Sequence, residues 1–247
     1  MSQIINGHNY HGKVRTIKID DYPDKIMFFH EDISETVQLR LDHFFTKERE
    51  TISWIKNHMN KESVFWDIGA NIGQYGIFAS IIHKCKTYLI EPEPQNFSNL
   101  CINILLNNLK YTNPISIALS DKSEYSSIDM KPNAGNSQNK INKDYSFNHY
   151  LWVDTVDNLV SKHFIAPTHL KIDVDGVELK ILKGASNTLK NVKSILVEAH
   201  PDEEKELFEL LKDFKLESGD KIAIAYIDCD YFGILSQDVE LLKFLQK

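Results

Sequence analysis

The sequence of 247 residues has little cysteine. Its three cysteines, Cys85, Cys101 and Cys229, are scattered and form no C-x-x-C pair. Three such residues are too few for a disulfide framework or for a structural zinc site. We therefore expect a protein of the reducing cytoplasm.

Long apolar runs and blocks of positive charge are also missing. No run of about 18 apolar residues occurs, and the start of the chain has no basic stretch followed by an apolar core, so we expect no membrane span and no export signal. The formal net charge is −7, and no block of five basic residues appears, which disfavours nucleic acid as a partner. The composition leaves the oligomeric state open, a homo-oligomer included.

Short apolar strands alternate with helical patterns from Val64 onward, which is typical of βαβ units and a parallel sheet. A final pair of strands, at 221–226 and 231–235, is separated by a segment short enough for a hairpin, which predicts an antiparallel C-terminal edge strand. We predict an α/β fold with a doubly wound, mostly parallel sheet of seven strands. The other five predicted strands are Val64–Ile68, 87–90, 115–118, His169–Ile172 and Ser194–Ala199.

The predicted organisation is an N-terminal cover over residues 1–62 and a main domain over 63–247. The cover combines strand-like runs with a helix that we expect to begin at Thr46, a good N-cap residue. The main domain carries a polar insertion at 120–149. Long irregular insertions are usually disordered or functional, and a position on the substrate side of the sheet is one interpretation of this one.

A glycine turn after the first predicted strand of the main domain is the strongest signal of a ligand site. Asp67 ends the strand, and Gly69 and Gly73 follow with G-x-x-x-G spacing. Gly69 can adopt dihedral angles that other residues avoid, and Gly73 would let a helix begin close to a ligand. The spacing is not the G-x-G-x-x-G of a dinucleotide site. Asp67 suits a ligand with a positive end, and the alternative is that its side chain caps the turn.

The next predicted strand ends in Glu91, 24 residues after Asp67. An acidic residue at this position of such a unit can hydrogen-bond the hydroxyls of a ribose. Together with the glycine turn it indicates an adenosine-containing ligand without phosphates, of which S-adenosylmethionine is the common example.

Four segments of the main domain can be compared with known families, namely Asp67 to Gly73, Glu91 to Phe97, Ala118 to Asp121 and Leu170 to Glu178. In this order they resemble the FkbM family of S-adenosylmethionine-dependent methyltransferases. The resemblance covers roughly residues 64 to 200 and implies the class I methyltransferase type of Rossmann-like fold. At one position the chain has Asp175, in the segment Asp-Val-Asp-Gly, where the family usually has glutamate.

The resemblance also implies roles for particular residues. Glu91 would bind the ribose and Ala118 would border the adenine. Gly135-Asn136-Ser137 is similar to an element common in the family. The residues that would surround the methionine part are Asp67, Gly69, Asn71 and Gly73.

Three polar residues lie where the fourth and fifth predicted strands of the main domain end, namely Asp173, Glu198 and His200. His200 could take the proton from a hydroxyl acceptor, because imidazole titrates near neutral pH. Alternatively, all three could hold Mg²⁺ or Mn²⁺, which would acidify the hydroxyl. A third interpretation is structural, with His200 capping the next helix.

The resemblance implies transfer of a methyl group to an oxygen of a small or sugar-containing acceptor, such as a glycan or a sugar nucleotide. The sequence leaves open an N-methyltransferase and a cofactor-binding module without catalysis. A dinucleotide oxidoreductase is disfavoured by the glycine spacing.

Overall fold

The computed structural model describes residues 2–5, 8–20, 22–30, 35–129, 148–174, 176–199, 203–211 and 222–227. Strands occur in the N-terminal segment, in a central sheet and in a smaller sheet beside it. In chain order they are β1 (Ser2–Ile5), β2 (His8–His11), β3 (Lys13–Lys18), β4 (Lys25–His30), β5 (Val64–Ile68), β6 (Lys86–Ile90), β7 (Thr112–Ile115), β8 (Ala118–Leu119), β9 (Glu124–Asp129), β10 (Asn148–Asp154), β11 (His169–Ile172), β12 (Ser194–Ala199) and β13 (Ile222–Ile227).

Two α-helices precede β5, and the others connect or follow the strands of the central sheet. In chain order they are α1 (Glu35–Asp42), α2 (Arg49–His58), α3 (Gln74–His83), α4 (Pro94–Leu106), α5 (Val156–Lys162), α6 (Glu178–Lys183) and α7 (Glu204–Leu210), with a 3₁₀ helix at Thr188–Asn191. Among the described residues, no helix is long and apolar enough to cross a bilayer.

The central sheet has six strands in the order β13-β12-β11-β5-β6-β7, and every neighbouring pair is parallel. The predicted strands β5, β11 and β12 are confirmed to the residue. β5 and β11 are adjacent in space but distant in sequence, so the chain reverses direction across the sheet there. Such a switch point opens a crevice at the carboxyl ends of the strands. The predicted antiparallel strand at 231–235 lies outside the described residues.

Helices cover both faces of the central sheet, as the doubly wound prediction requires. On one face α2, α3 and α4 pack against side chains that include Phe65 and Leu89. On the other face α5, α6 and α7 pack against side chains that include Trp66 and Leu170. Side chains alternate along a strand, so the face of Phe65 is also that of Asp67.

The predicted strand at 115–118 is wrong. The sheet strand is β7, which contains Pro114 and ends at Ile115, while Ala118 belongs to β8 of a separate sheet with the order β8-β10-β9. Proline is tolerated in β7 because it is the edge strand of the described sheet, and it conceals the strand pattern in the sequence.

The described parts of the polar stretch at 120–149, residues 120–129 and 148–149, are more regular than its composition predicts. They contain β9 and the start of β10, which pair in antiparallel register. Across this register the rings of Tyr125 and Trp152 meet edge to face, with centroids 5.1 Å apart. The Gly-Asn-Ser element at 135–137 lies outside the described residues.

The N-terminal segment packs onto the main domain through one shared core. Ile26 and Phe28 of β4 belong to the same buried cluster as Phe65 of β5. Helix α2 begins at Arg49, three residues later than the predicted cap at Thr46, whose backbone N–H bonds to His43 in a turn. The boundary at residue 62 stays a prediction.

Candidate functional site

The turn between β5 and α3 has an unusual backbone conformation. Gly69, Asn71 and Gly73 have φ angles of 81°, 50° and 90°. The backbone N–H groups of Gly69 and Ala70 both donate to the carbonyl of Ile90 at 3.0 Å. The turn is therefore fixed to the end of the neighbouring strand β6.

The two glycines are required by packing as well as by conformation. A Cβ atom on Gly69 would lie 1.8 Å from the carbonyl oxygen of Asp173. A Cβ atom on Gly73 would lie 2.5 Å from a methyl carbon of Leu100. Gly73 was expected to make room for a ligand, but its described surroundings are core side chains. The glycine turn thus joins β5 closely to β11 and α4.

Asp67 lies behind this turn rather than in the open crevice. Its side chain is 1% exposed, and its Oδ2 accepts a hydrogen bond from the backbone N–H of Gly76 in the first turn of α3 at 3.0 Å. This is the capping role that was the alternative interpretation. Burial raises the pKa of Asp67 to about 6, although the nearby charge of Lys171 opposes the shift.

Glu91 connects the glycine turn to the loop before α4. Its two carboxylate oxygens accept hydrogen bonds from the backbone N–H groups of Asn71 at 2.8 Å and Glu93 at 2.9 Å. The side chain of Asn96 also hydrogen-bonds this carboxylate, which leaves about one acceptor position for a further donor. Burial raises the pKa of Glu91 to about 7, and the two backbone hydrogen bonds oppose the shift.

Ala118 and Trp66 are both buried within the fold. Ala118 is buried in β8, opposite Val153 of β10. Trp66 points to the opposite face from Asp67 and donates to the carbonyl of Ile165 at 3.0 Å. Trp66 is fully buried and belongs to the core on that face.

Two of the three predicted catalytic residues are brought together. Asp173 follows β11, and its backbone N–H donates to the carbonyl of Ile68 in β5. Its side chain hydrogen-bonds Glu198 of β12. Such a hydrogen bond needs a proton on one of the two carboxyl groups. His200 lies outside the described residues.

Lys171 places a buried cation in this site. Its side chain is 1% exposed, with Nζ 2.6 Å from Oδ2 of Asp173, 4.0 Å from Oδ1 of Asp67 and 5.1 Å from the centroid of the Tyr75 ring. Burial disfavours the ammonium form, but the carboxylates of Asp173 and Asp67 outweigh burial and raise the pKa of Lys171.

The pKa of Asp173 shifts in the opposite direction. Burial favours its neutral form, but the ammonium of Lys171 outweighs burial and holds the pKa of Asp173 well below its usual range. Its side chain is 28% exposed, so an ionised carboxylate reaches the open edge of the sheet.

The N-terminal segment contributes residues that sequence reasoning missed. Glu48, just before α2, hydrogen-bonds the side chain of Tyr75, and burial together with this contact raises the pKa of Tyr75. The charge of Arg40 in α1 acts on both Tyr75 and Asp173. Neither residue belongs to a motif, and only the fold brings them to the site.

The described residues do not fit the predicted metal site. Among them no group of three or more His, Cys, Asp or Glu side chains could hold an ion. Oδ2 of Asp173, one of the predicted ligands, already binds the ammonium of Lys171.

Comparisons with known proteins agree on a family. The family described as "Methyltransferase FkbM domain" matches residues 67–232. The hexuronic acid methyltransferase AglP of Haloferax volcanii is 30% identical over 174 residues, which are 68% of this chain and 70% of the relative.

Two solved structures show more distant likeness. A precorrin-6Y C5,15-methyltransferase from Geobacter metallireducens is 15% identical with a TM-score of 0.44, over 69% of this chain and 72% of the other. A precorrin 8w decarboxylase from Methanobacterium thermoautotrophicum is 15% identical with a TM-score of 0.43, over 68% of this chain and 70% of the other. Because the family match covers more than half of the chain and the relative more than two thirds of it, this protein belongs to the FkbM family and is an S-adenosylmethionine-dependent methyltransferase.

Proposed function

We propose that this methyltransferase modifies a hydroxyl oxygen of a sugar-containing acceptor, in a glycan or on a smaller carrier. The observation that carries the acceptor class is the similarity to AglP, whose name makes it a hexuronic acid methyltransferase. The family match, over residues 67–232, contains the glycine turn, Lys171 and Asp173.

The residues around the glycine turn fit the cofactor. S-adenosylmethionine would supply a methyl group on a sulfonium, and the neutral thioether left behind is a good leaving group. Glu91 keeps about one acceptor position for a ribose hydroxyl, and Ala118 would border the adenine beside β8. The methionine part would lie against the turn at Gly69, Asn71 and Gly73, with Asp67 holding the turn from behind.

Asp173 is suited to orient the acceptor. Methyl transfer depends mainly on alignment of donor and acceptor. The ionised Asp173 can accept a hydrogen bond from an acceptor hydroxyl and aim its oxygen at the methyl group. Its lowered pKa makes it a weak base. Glu198 donates the hydrogen bond to the ionised Asp173, so it is not free to take the proton of the acceptor. The proton acceptor is therefore better sought in His200, and we propose no metal.

The test is transfer of an isotope-labelled methyl group from S-adenosylmethionine to three matched sugars, analysed by mass spectrometry. Methyl glucuronide is a hexuronic acid, methyl glucoside is its neutral counterpart, and glucosamine offers an amine. Labelled methyl ether in either of the first two supports the proposal. Label on the nitrogen of glucosamine alone would overturn it in favour of N-methylation.

A further inference from the structure

Lys171 makes contacts that the proposed reaction does not yet use. It is a fully buried ammonium in a protein whose other described lysines are mostly at the surface. Burying a charge is costly unless partners compensate for it, so such a residue is retained for what its charge does. One of its partners, Asp67, lies beside the cofactor turn, and the other, Asp173, is the residue proposed to orient the acceptor.

One partner belongs to the cofactor half. In the register of the parallel sheet Lys171 lies directly opposite Asp67, so both side chains point to the same face. The Nζ of Lys171 is 4.0 Å from Oδ1 of Asp67, whose other oxygen caps α3. The Oδ1 atom of Asp67 has no hydrogen-bond partner among the described residues, so the ammonium is the group that balances its charge.

The other partner belongs to the acceptor half. The Nζ of Lys171 is 2.6 Å from Oδ2 of Asp173, which directly follows the end of β11. This contact leaves the other oxygen, Oδ1, to the neighbouring groups and to the open edge. Arg40 and Glu198 also act on Asp173, from α1 and from β12.

The ammonium is itself held in place by aromatic and acidic groups. It lies 5.1 Å from the centroid of the Tyr75 ring, within the range of a cation–π interaction. The side chain of Tyr75 is hydrogen-bonded to Glu48, whose charge also acts on Lys171. Through Glu48 the N-terminal segment therefore contributes to the environment of this ammonium.

We propose that Lys171 is a positioning residue of methyl transfer, which holds the Asp173 carboxylate ionised and fixed in direction beside the cofactor turn. This inference rests on the proposed role of Asp173 toward the acceptor. Without the ammonium, Asp67 and Asp173 would be two carboxylates on one face with no cation between them, and such pairs favour protonation of one member.

The test reads Asp173 directly and needs no acceptor. Protein labelled with [4-¹³C]aspartate is titrated by NMR, and the Asp173 signal is assigned by its absence in Asp173→Asn. In the unchanged protein this carboxyl should stay ionised where exposed aspartates titrate. In Lys171→Met it should titrate at higher pH. Lys162→Met, which removes an exposed lysine of α5, should have no effect.

A second variant covers a failure of Lys171→Met to fold. The double variant Lys171→Met/Asp67→Asn removes one of the two facing carboxylates, and its Asp173 should still titrate at higher pH than in Asp67→Asn alone. An unchanged Asp173 titration in whichever lysine variant folds would overturn the inference and leave Lys171 a structural ion pair.

Kinetics then separate this inference from the proposed function. With an acceptor that the unchanged enzyme methylates, kcat should fall by about 10²-fold in Lys171→Met, as expected for a misplaced orienting group. If no sugar is methylated by the unchanged enzyme, the proposed acceptor fails, while the NMR titration still decides the role of Lys171.

Discussion

At the scale of single residues, Glu91 gives the cofactor site a pH dependence. Its pKa in the ligand-free protein is about 7, because burial opposes its ionisation. We expect the positively charged cofactor to bind the ionised form, so a protonated Glu91 must first lose its proton. The affinity for S-adenosylmethionine should therefore be about tenfold weaker at pH 6 than at pH 8, as measured by calorimetric titration.

Glu91→Gln is the matched variant, since it keeps the shape of the side chain and removes the charge. It should bind more weakly by about 10- to 100-fold, the usual worth of a hydrogen bond to a charged group, and should lose most of the pH dependence. Asp67 also titrates near this range, at about 6, so Asp67→Asn serves as the control. A pH dependence of the affinity that persists in Glu91→Gln and vanishes in Asp67→Asn would show that Asp67 is the titrating group.

The glycine turn offers a second prediction for single residues. Gly69→Ala places a methyl group against the backbone carbonyl of Asp173 at a φ angle of 81°. Strain and overpacking should together lower the free energy of unfolding by about 3 kcal/mol or more, measured by urea denaturation. Gly73→Ala should cost less, because its Cβ meets only the ends of the Leu100 and Ile77 side chains. Equal losses would mean that β11 moves as easily as those side chains.

At the scale of elements, two asparagines of α4 hold the N-terminal segment. Oδ1 of Asn103 accepts from the backbone N–H of Phe29 in β4 at 2.7 Å, and its Nδ2 donates to the carbonyl of Ile72 in the glycine turn at 2.9 Å. One turn later, Asn107 bonds both backbone groups of Met27. The two side chains thus take the place of a neighbouring strand.

Asn103→Ala should be the more damaging change at this contact. It leaves two buried backbone groups without a partner, at about 1–3 kcal/mol each, and loosens the cofactor turn at Ile72. Asn107→Ala should cost about 1 kcal/mol, because Met27 is only half-buried and water can replace the bonds. Unfolding in urea and affinity for S-adenosylmethionine would be measured together. A loss of stability in Asn103→Ala without weaker binding would show that the turn holds its shape alone.

Elements differ in how far the sequence predicts them. β5 and β12 contain apolar runs, at 64–66 and 195–197, while β11 alternates apolar with polar residues, so all three are visible in the sequence. β7 is an edge strand with a proline, and β9 and β10 are rich in polar residues, so their patterns are weak. In the site, Glu91 was found because its strand ends at a known position. Glu48 and Arg40 come from a segment whose contact with Tyr75 depends on packing and leaves no motif.

At the scale of the whole molecule, the charges of the site lie on one face of the sheet between the strands and the N-terminal segment. Asp67, Lys171 and Asp173 share that face, and Glu48 reaches it from outside the family match. The family region therefore supplies the cofactor turn, while the preceding segment closes the buried cluster.

This placement of carboxyl groups determines how stability depends on pH. The pKa values of Asp67 and Glu91 in the folded protein, about 6 and about 7, lie above those of the unfolded chain. Their contribution to stability is therefore full below about pH 4 and is lost as the pH rises through 6 to 7. Burial lowers the pKa of His169 to about 4, so its contribution is lost only as the pH falls below about 6.5.

Between pH 6.5 and 8 the two carboxyl groups thus dominate. His169 offsets part of their effect, so the ligand-free protein should lose about 0.5 kcal/mol of its free energy of unfolding over this interval, a fall in Tm of about 1–2 °C. Saturating S-adenosylmethionine should reduce the fall, because its positive charge favours the ionised carboxylates. Thermal unfolding with and without the cofactor measures both effects. A ligand-free Tm that rises over the interval would contradict the raised pKa values, and Glu91→Gln should flatten the curve by removing the larger of the two contributions.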